Sequence, residues 1–174
     1  MKETDPHPYP VSISAVGQDS HRFLAEDDPR AKGRPLVLGG LILEGHPPLD
    51  GNSDADVVLH ALTNALSGLC GQPILGEAAD ALCRQGLTDS RHYLDLALVC
   101  LGSIRLTHLS FSIEAKKPIL APFLNPMRRK IASLTGLPVE RVALTATSGE
   151  GLTAFGQGLG IACICIASAL LTAP

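Results

Sequence analysis

The sequence predicts an α/β (α+β) domain, a mixed β-sheet with helices packed on one face. Three observations lead there. Strand-like and helix-like segments follow one another in mixed order along 174 residues, near the usual size of one domain. Hydrophobic residues make up 45% and aromatics only 3%, so the core must be built from Leu, Ile, Val and Ala. The last apolar segment, Gly160 to Leu171, is apolar on both faces if extended. Ile161, Cys163, Cys165 and Ala167 point one way, and Ala162, Ile164 and Ile166 the other. A strand apolar on both faces is covered on both. Helices suit one face, and in so small a chain a subunit interface suits the other.

The elements follow in order. Residues 1–10 carry acids and three prolines and are expected to be a flexible N-terminus ahead of one domain over residues 11–174. Val11 to Gly17 alternates as a strand does. Ala25 to Pro35 is polar and contains two prolines, so it reads as a loop. Leu36 to Leu43, around Gly39-Gly40, reads as a short bent hairpin. Ser53 is a good N-cap, with Asp54 and Asp56 suited to the positive end of a helix dipole. Val58, Leu59, Leu62, Leu66 and Leu69 form the buried stripe of that helix. Asp56, His60 and Asn64, four apart, are expected on its opposite, polar face. Further helices are expected over Glu77 to Arg84, from Thr88-Asp89 to about Ile104, and over Pro122 to Leu134, the last stopped by Gly136 and Pro138. Thr107 to Ala115 and Val142 to Thr147 read as strands, and Gly149 to Gly160 as a glycine-rich loop.

Composition excludes some functions. A net charge of −3 offers no basic field for a phosphate backbone, and the near absence of aromatics removes a base-stacking platform, so no nucleic-acid partner is expected. No apolar run reaches the about 20 residues that span a bilayer, and no membrane partner is expected. The start of the chain lacks a signal pattern, which predicts a cytoplasmic protein, or one in an organelle lumen if a transit peptide has been removed. The five cysteines, an odd number set in apolar stretches, fit buried free thiols better than disulfides.

Two constellations carry chemistry. In Asp19-Ser20-His21, an extended backbone puts Asp19 and His21 on one face. His60, on a polar helix face, offers a third donor. One carboxylate and two imidazoles suit a zinc ion with one position open. The spacing alone leaves a solvated Asp and His, with a hydrogen-bonded helix His, as the plainer reading. In Thr147-Ser148-Gly149-Glu150-Gly151, small residues directly after a strand offer N–H and hydroxyl donors to an oxyanion, and the Glu offers oxygen to a divalent cation. A glycine-rich turn with a solvated Glu is the plainer reading there. His7, His46, His92 and His108 are expected to be solvated, and Lys116-Lys117 to be a polar strand end.

Longer landmarks join these motifs. Gly17-Gln18-Asp19-Ser20-His21, Leu38-Gly39-Gly40, and Asn52-Ser53-Asp54-Ala55-Asp56 running to His60 come first. Asp89-Ser90-Arg91, Pro118 to Pro122 with Met127-Arg128, and Thr145-Ala146-Thr147-Ser148 with Glu150 follow. In order and spacing, from about Val11 to Leu171, the chain resembles the 2-C-methyl-D-erythritol 2,4-cyclodiphosphate synthase family. The resemblance implies a homotrimer whose sheets face the three-fold axis and whose active sites lie between subunits. It implies zinc, one per subunit, on Asp19, His21 and His60, and magnesium or manganese on Glu150 with the substrate diphosphate. Asn52 and Ser148 match catalytic positions. Substrate contacts are implied for Asp19, Ser20, His21, Asn52, Ser53 and Glu77. A cytidine pocket is implied at Ala115, Lys116, Lys117, Pro118, Ile119, Leu120 and Ala121, closed by Thr147, Ser148, Gly149 and Glu150. The implied substrate is the phosphorylated cytidyl compound 4-diphosphocytidyl-2-C-methyl-D-erythritol 2-phosphate, which is cyclised with release of CMP.

The chain departs from the family pattern at several places. Asn52 stands where a His is usual, and Asn64 where an Asp is. Glu77-Ala78-Ala79 and Leu82-Cys83-Arg84 replace an acidic loop. Ile119 replaces a Lys, with Lys116 and Lys117 nearby, and Gln157 and Leu159 replace charged residues. The kept ligand set favours the family reaction. A paralogue acting on another phosphorylated ligand, and a non-catalytic metal-stabilised trimer, are the other readings.

Overall fold

The last strand, β6 (Gly160–Leu171), organises the sheet. In the computed structural model, which describes residues 10–171 and within them all side chains but those of Glu77, Ala78 and Asp80, β6 runs antiparallel to β1 (Val11–Arg22) on one side and to β4 (Arg105–Glu114) on the other. Strand β5 (Val142–Thr147) adds parallel to β4, giving the order β1-β6-β4-β5. A separate hairpin pairs β2 (Leu36–Leu38) with β3 (Leu41–Leu43). The mixed sheet with its helices is the predicted fold class. Residues 1–9, most of the expected flexible N-terminus, lie outside the described residues.

Four helices are present among the described residues: α1 (Val57–Cys70), α2 (Glu77–Arg84), α3 (Ser90–Cys100) and α4 (Leu124–Thr135). Helix α1 packs on β1 and β6, α3 packs on α1, and α4 packs on β5. The face of β6 beneath the helices carries Ile161, Cys163, Cys165 and Ala167, all fully buried. Its other face leaves Ile164 and Ile166 44% and 43% exposed, beside Val16 of β1 at 65%. The sheet therefore presents uncovered apolar side chains on the face away from the helices. Among the described residues, the largest fully buried side chains are Tyr93 and Phe111 with Leu and Ile.

Several boundaries differ from the expectation. Asp56, not Ser53, caps α1: its carboxylate accepts from the N–H groups of Val58 and Leu59, each at 3.0 Å. The same carboxylate accepts from Gly39 and Gly40 at 2.8 and 2.7 Å, whose positive φ values of 58° and 74° turn both N–H groups inward. Asp56 is fully buried, so Asp56 and His60 do not form a polar, solvated face; α1 is buried nearly all round. Helix α3 ends at Cys100, short of Ile104, and α4 starts at Leu124 after a 3-10 turn. Of the five thiols, only Cys163 and Cys165 are buried; Cys70, Cys83 and Cys100 are half-buried. His46 is half-buried against the Phe123 ring at 6.4 Å, while His92 and His108 are exposed as expected. No described helix is long and apolar enough to cross a membrane.

Gly17 sets the approach of strand to helix. A Cβ built on it would lie 2.0 Å from the Ala61 carbonyl oxygen and 2.3 Å from the Ala65 nitrogen. Only a residue without a side chain lets β1 lie directly on the backbone of α1. That contact places residues 19 and 21 beside residue 60.

Candidate metal centre

Strand alternation aims Asp19 and His21 toward α1, while Gln18, Ser20 and Arg22 face away and are exposed. From α1, His60 points back at them and is almost fully buried. Oδ2 of Asp19 is 3.2 Å from Nε2 of His21 and 2.9 Å from Nδ1 of His60. One donor atom from each of the three residues lies within 4.8 Å of the others. The two imidazoles meet edge-on, their centroids 5.8 Å apart.

The electrostatics are those of a cation site. Burial alone would raise the Asp19 pKa. Hydrogen bonds to His21 and His60, and their charge, overcome it and hold the carboxyl well below the usual range. Burial likewise works to lower the His21 pKa, but Asp19 and the Asp50 backbone outweigh it and the value is raised. Both shifts mark a place that stabilises positive charge between these groups. A carboxylate and two ring nitrogens have lone pairs to share, so the three could hold a metal ion. One oxygen and two nitrogen donors suit zinc among the common metals.

A cavity of about 270 Å³ opens onto the triad. Asn52, Ser53, Asn64, Gly76, Cys83 and Tyr93 also line it. Asn52 is exposed, whereas Ser53 is buried with Oγ 3.3 Å from His60 Nε2. The loop is held from behind by Arg34, which donates to the carbonyls of Gly51 and Ser53. Asn64 donates to the Gln18 carbonyl at 3.1 Å, tying α1 to β1. An ionised Asp, the residue the resemblance leads one to expect here, would have no N–H to give.

The other expected site residues gather elsewhere on the chain. Ala115 donates its N–H to the Thr147 carbonyl at 3.0 Å, joining the 115–121 segment to the 147–150 loop. Pro118 and Leu120 are buried, while Lys116, Lys117, Ile119 and Ala121 are exposed. Lys117 lies over the Phe23 ring, 5.6 Å from its centroid. Ser148 donates to Glu150 at 2.8 Å, and the Thr147 hydroxyl accepts from Gly149 N–H. None of these residues lines the cavity at the triad. Ser20 lines a different cavity with Phe155 and Leu159. The side chain of Glu77 lies outside the described residues. Cys83, Tyr93 and Ser90 stand beside or behind the triad and had no assigned role. The signs of them in the sequence were the Asp89-Ser90-Arg91 landmark and the departure from the family pattern at Leu82-Cys83-Arg84; Tyr93 had none.

These features define an α/β domain with a three-donor candidate metal centre set between a strand and a helix. The chain belongs to the YgbB family, which it matches over residues 13–170. It is 46% identical to the 2-C-methyl-D-erythritol 2,4-cyclodiphosphate synthase of Chlamydia trachomatis serovar L2b (strain UCH-1/proctitis), over 92% of this chain and 89% of that one. It is 43% identical to the synthase of Chlamydia muridarum (strain MoPn / Nigg), over 97% and 94% of the two chains. Among solved structures, it is similar to the bifunctional IspDF from Campylobacter jejuni, with a TM-score of 0.83 and 26% identity, across 97% of this chain and 44% of that one. A CDP-bound 2C-methyl-D-erythritol-2,4-cyclodiphosphate synthase is similar at a TM-score of 0.74 and 28% identity, over 89% and 98% of the chains.

Proposed function

We propose that the chain is a 2-C-methyl-D-erythritol 2,4-cyclodiphosphate synthase, a phosphorus–oxygen lyase of non-mevalonate isoprenoid biosynthesis. The observation that carries this is the convergence of Asp19, His21 and His60 beside Asn52 and Ser53, in a chain 46% identical to such a synthase. An oxygen of the substrate's 2-phosphate forms a bond to the β-phosphorus. The bond from that phosphorus to the CMP oxygen breaks, and CMP leaves. Two anions must meet, so the task of the protein is to position them and offset their charge.

Zinc on Asp19, His21 and His60 supplies positive charge beside the phosphates when bound. Asn52, exposed at the cavity mouth, has an amide that donates to a phosphate oxygen. The exposed Glu150 carboxylate suits magnesium or manganese carried by the diphosphate. The Ser148 hydroxyl donates to Glu150; with that carboxylate holding a cation, it would be available to the oxygen gaining charge. Ala115 to Ala121, with Thr147, form the pocket for the cytidine.

Within one chain, the cavity at the triad is lined by no residue of the 115–121 or 147–150 segments. The apolar sheet face around Val16, Ile164 and Ile166 is uncovered. Both features support a homotrimer in which one subunit's triad meets a neighbour's loop. Light scattering of the purified protein should give three times the chain mass, and a monomer at micromolar concentration would rule this out. The activity is tested by incubating the protein with the diphosphocytidyl substrate, zinc and magnesium. CMP release together with a cyclic diphosphate is the expected result. No turnover, with cytidine nucleotides failing to bind, would overturn the proposal in favour of a different phosphorylated ligand.

A further inference from the structure

Ser90 begins α3 and is fully buried, directly behind the triad. Its hydroxyl stands between two partners. Oγ is 2.8 Å from Nε2 of His60 and hydrogen bonds to Oδ1 of Asp54. The Ser90 backbone N–H donates to the second oxygen of that carboxylate at 3.0 Å. In return, the Asp54 N–H donates to the Thr88 carbonyl at 2.8 Å. The loop that carries Asp54 and the start of α3 are thus tied to each other in both directions, and the place of the serine hydroxyl is set.

Counting hydrogens gives the chain its direction. A carboxylate accepts and does not donate, so the single hydroxyl hydrogen of Ser90 goes to Asp54. Oγ then has only lone pairs to offer His60, and Nε2 must carry the ring hydrogen and donate it. Where a metal ion takes the place of the hydrogen on Nδ1, a neutral imidazole carries its one N–H on Nε2 and Nδ1 keeps its lone pair for the ion. Nδ1 is the nitrogen that faces Asp19, at 2.9 Å. The Ser53 hydroxyl, 3.3 Å from Nε2, already accepts from the Ala55 N–H and offers a second, longer acceptor to the same nitrogen.

We propose that Asp54 and Ser90 are positioning residues, which hold His60 as the Nε2–H tautomer and so present Nδ1 as a metal ligand. This rests on the reading of Asp19, His21 and His60 as a metal centre. Without the relay the ring divides between two tautomers and two orientations, and the ligand-competent one must be selected anew at each binding event. Loss of such an outer partner of a metal-bound histidine costs about 10- to 100-fold in metal affinity.

The test uses the whole protein and zinc alone. In zinc-loaded wild type with ¹⁵N-labelled histidine, NMR should show a hydrogen bonded to Nε2 of His60, protected from exchange. Zinc affinity, measured by chelator competition, should fall about 10- to 100-fold in Ser90→Ala. Ser90→Thr, which keeps the hydroxyl, should return it close to the wild-type value. In metal-free Ser90→Ala, His60 should shift toward the tautomer with its hydrogen on Nδ1, facing Asp19, a change that a serine needed only for packing would not produce. An unprotonated Nε2 in the zinc-loaded wild type would overturn the proposal, and so would an unchanged zinc affinity in folded Ser90→Ala. Should Ser90→Ala fail to fold, the wild-type spectrum decides alone. A wild type that binds no zinc removes the metal centre and the relay with it, whereas zinc binding unaffected by the variant removes only the relay.

Discussion

Replacing Gly17 by Ala should damage the metal centre without touching a ligand. The added Cβ would lie 2.0 Å from the Ala61 carbonyl oxygen and 2.3 Å from the Ala65 nitrogen, where ordinary contact begins near 3.4 Å. Strand and helix would have to part by about 1.4 Å, because both obstacles are backbone atoms that no rotamer change removes. Asp19 lies two residues along the strand from Gly17, and His60 precedes Ala61, so their spacing opens with the gap. Metal–ligand distances tolerate only about 0.2 Å. Overpacking of this kind costs about 3 kcal/mol, which lowers the melting temperature of a domain this size by about 6–12 °C. Scanning calorimetry of metal-free and zinc-loaded protein separates the two effects. Gly17→Ala should lower the metal-free melt and also shrink the increment that zinc adds. A Gly17→Ala protein with the wild-type melt and a full zinc increment would refute the reasoning.

Other perturbations should separate the parts of the site. His60→Ala should lose most bound zinc by elemental analysis while the metal-free protein stays folded; stoichiometric zinc in that variant would contradict the ligand assignment. Glu150→Gln should leave the melt and the zinc content unchanged and lower turnover by about 10²- to 10³-fold, and wild-type turnover would reduce its loop to a turn. Acid should release the metal. The raised pKa of His21 means that a proton competes for its nitrogen at a higher pH than its ordinary value of 6.5 implies, so apparent zinc affinity should fall about tenfold per pH unit below that pKa. Without metal the sign for His21 reverses. Its contribution to stability is fully present below pH 6.5 and is lost as the pH rises through the raised folded value. An affinity for zinc that stays flat from neutral to acid pH would overturn this.

Local pattern determined a good deal of this protein by itself. Alternation put Asp19 and His21 on one face of any extended segment, because side chains on a strand repeat every two residues, and β1 runs past the expected end at Gly17 to Arg22 to make it so. Both apolar faces of β6 were legible for the same reason, and the hairpin at Gly39-Gly40 and the αL stop at Gly136 followed from glycine's backbone freedom. The landmarks from Val11 to Leu171 carried the family. Only the tertiary structure decided what those residues touch. The sequence suggested a Ser53 cap and a polar face with His60, but Asp56 caps the helix and also accepts from Gly39 and Gly40, 17 and 16 residues away. Ser90, 30 residues from His60, has no local signal for its role, since a hydrogen bond between distant segments leaves no periodicity in the chain. The distance that makes a metal centre of three ordinary side chains comes from Gly17 lying on Ala61 and Ala65, a steric fit between two backbones that exists only once strand and helix have packed.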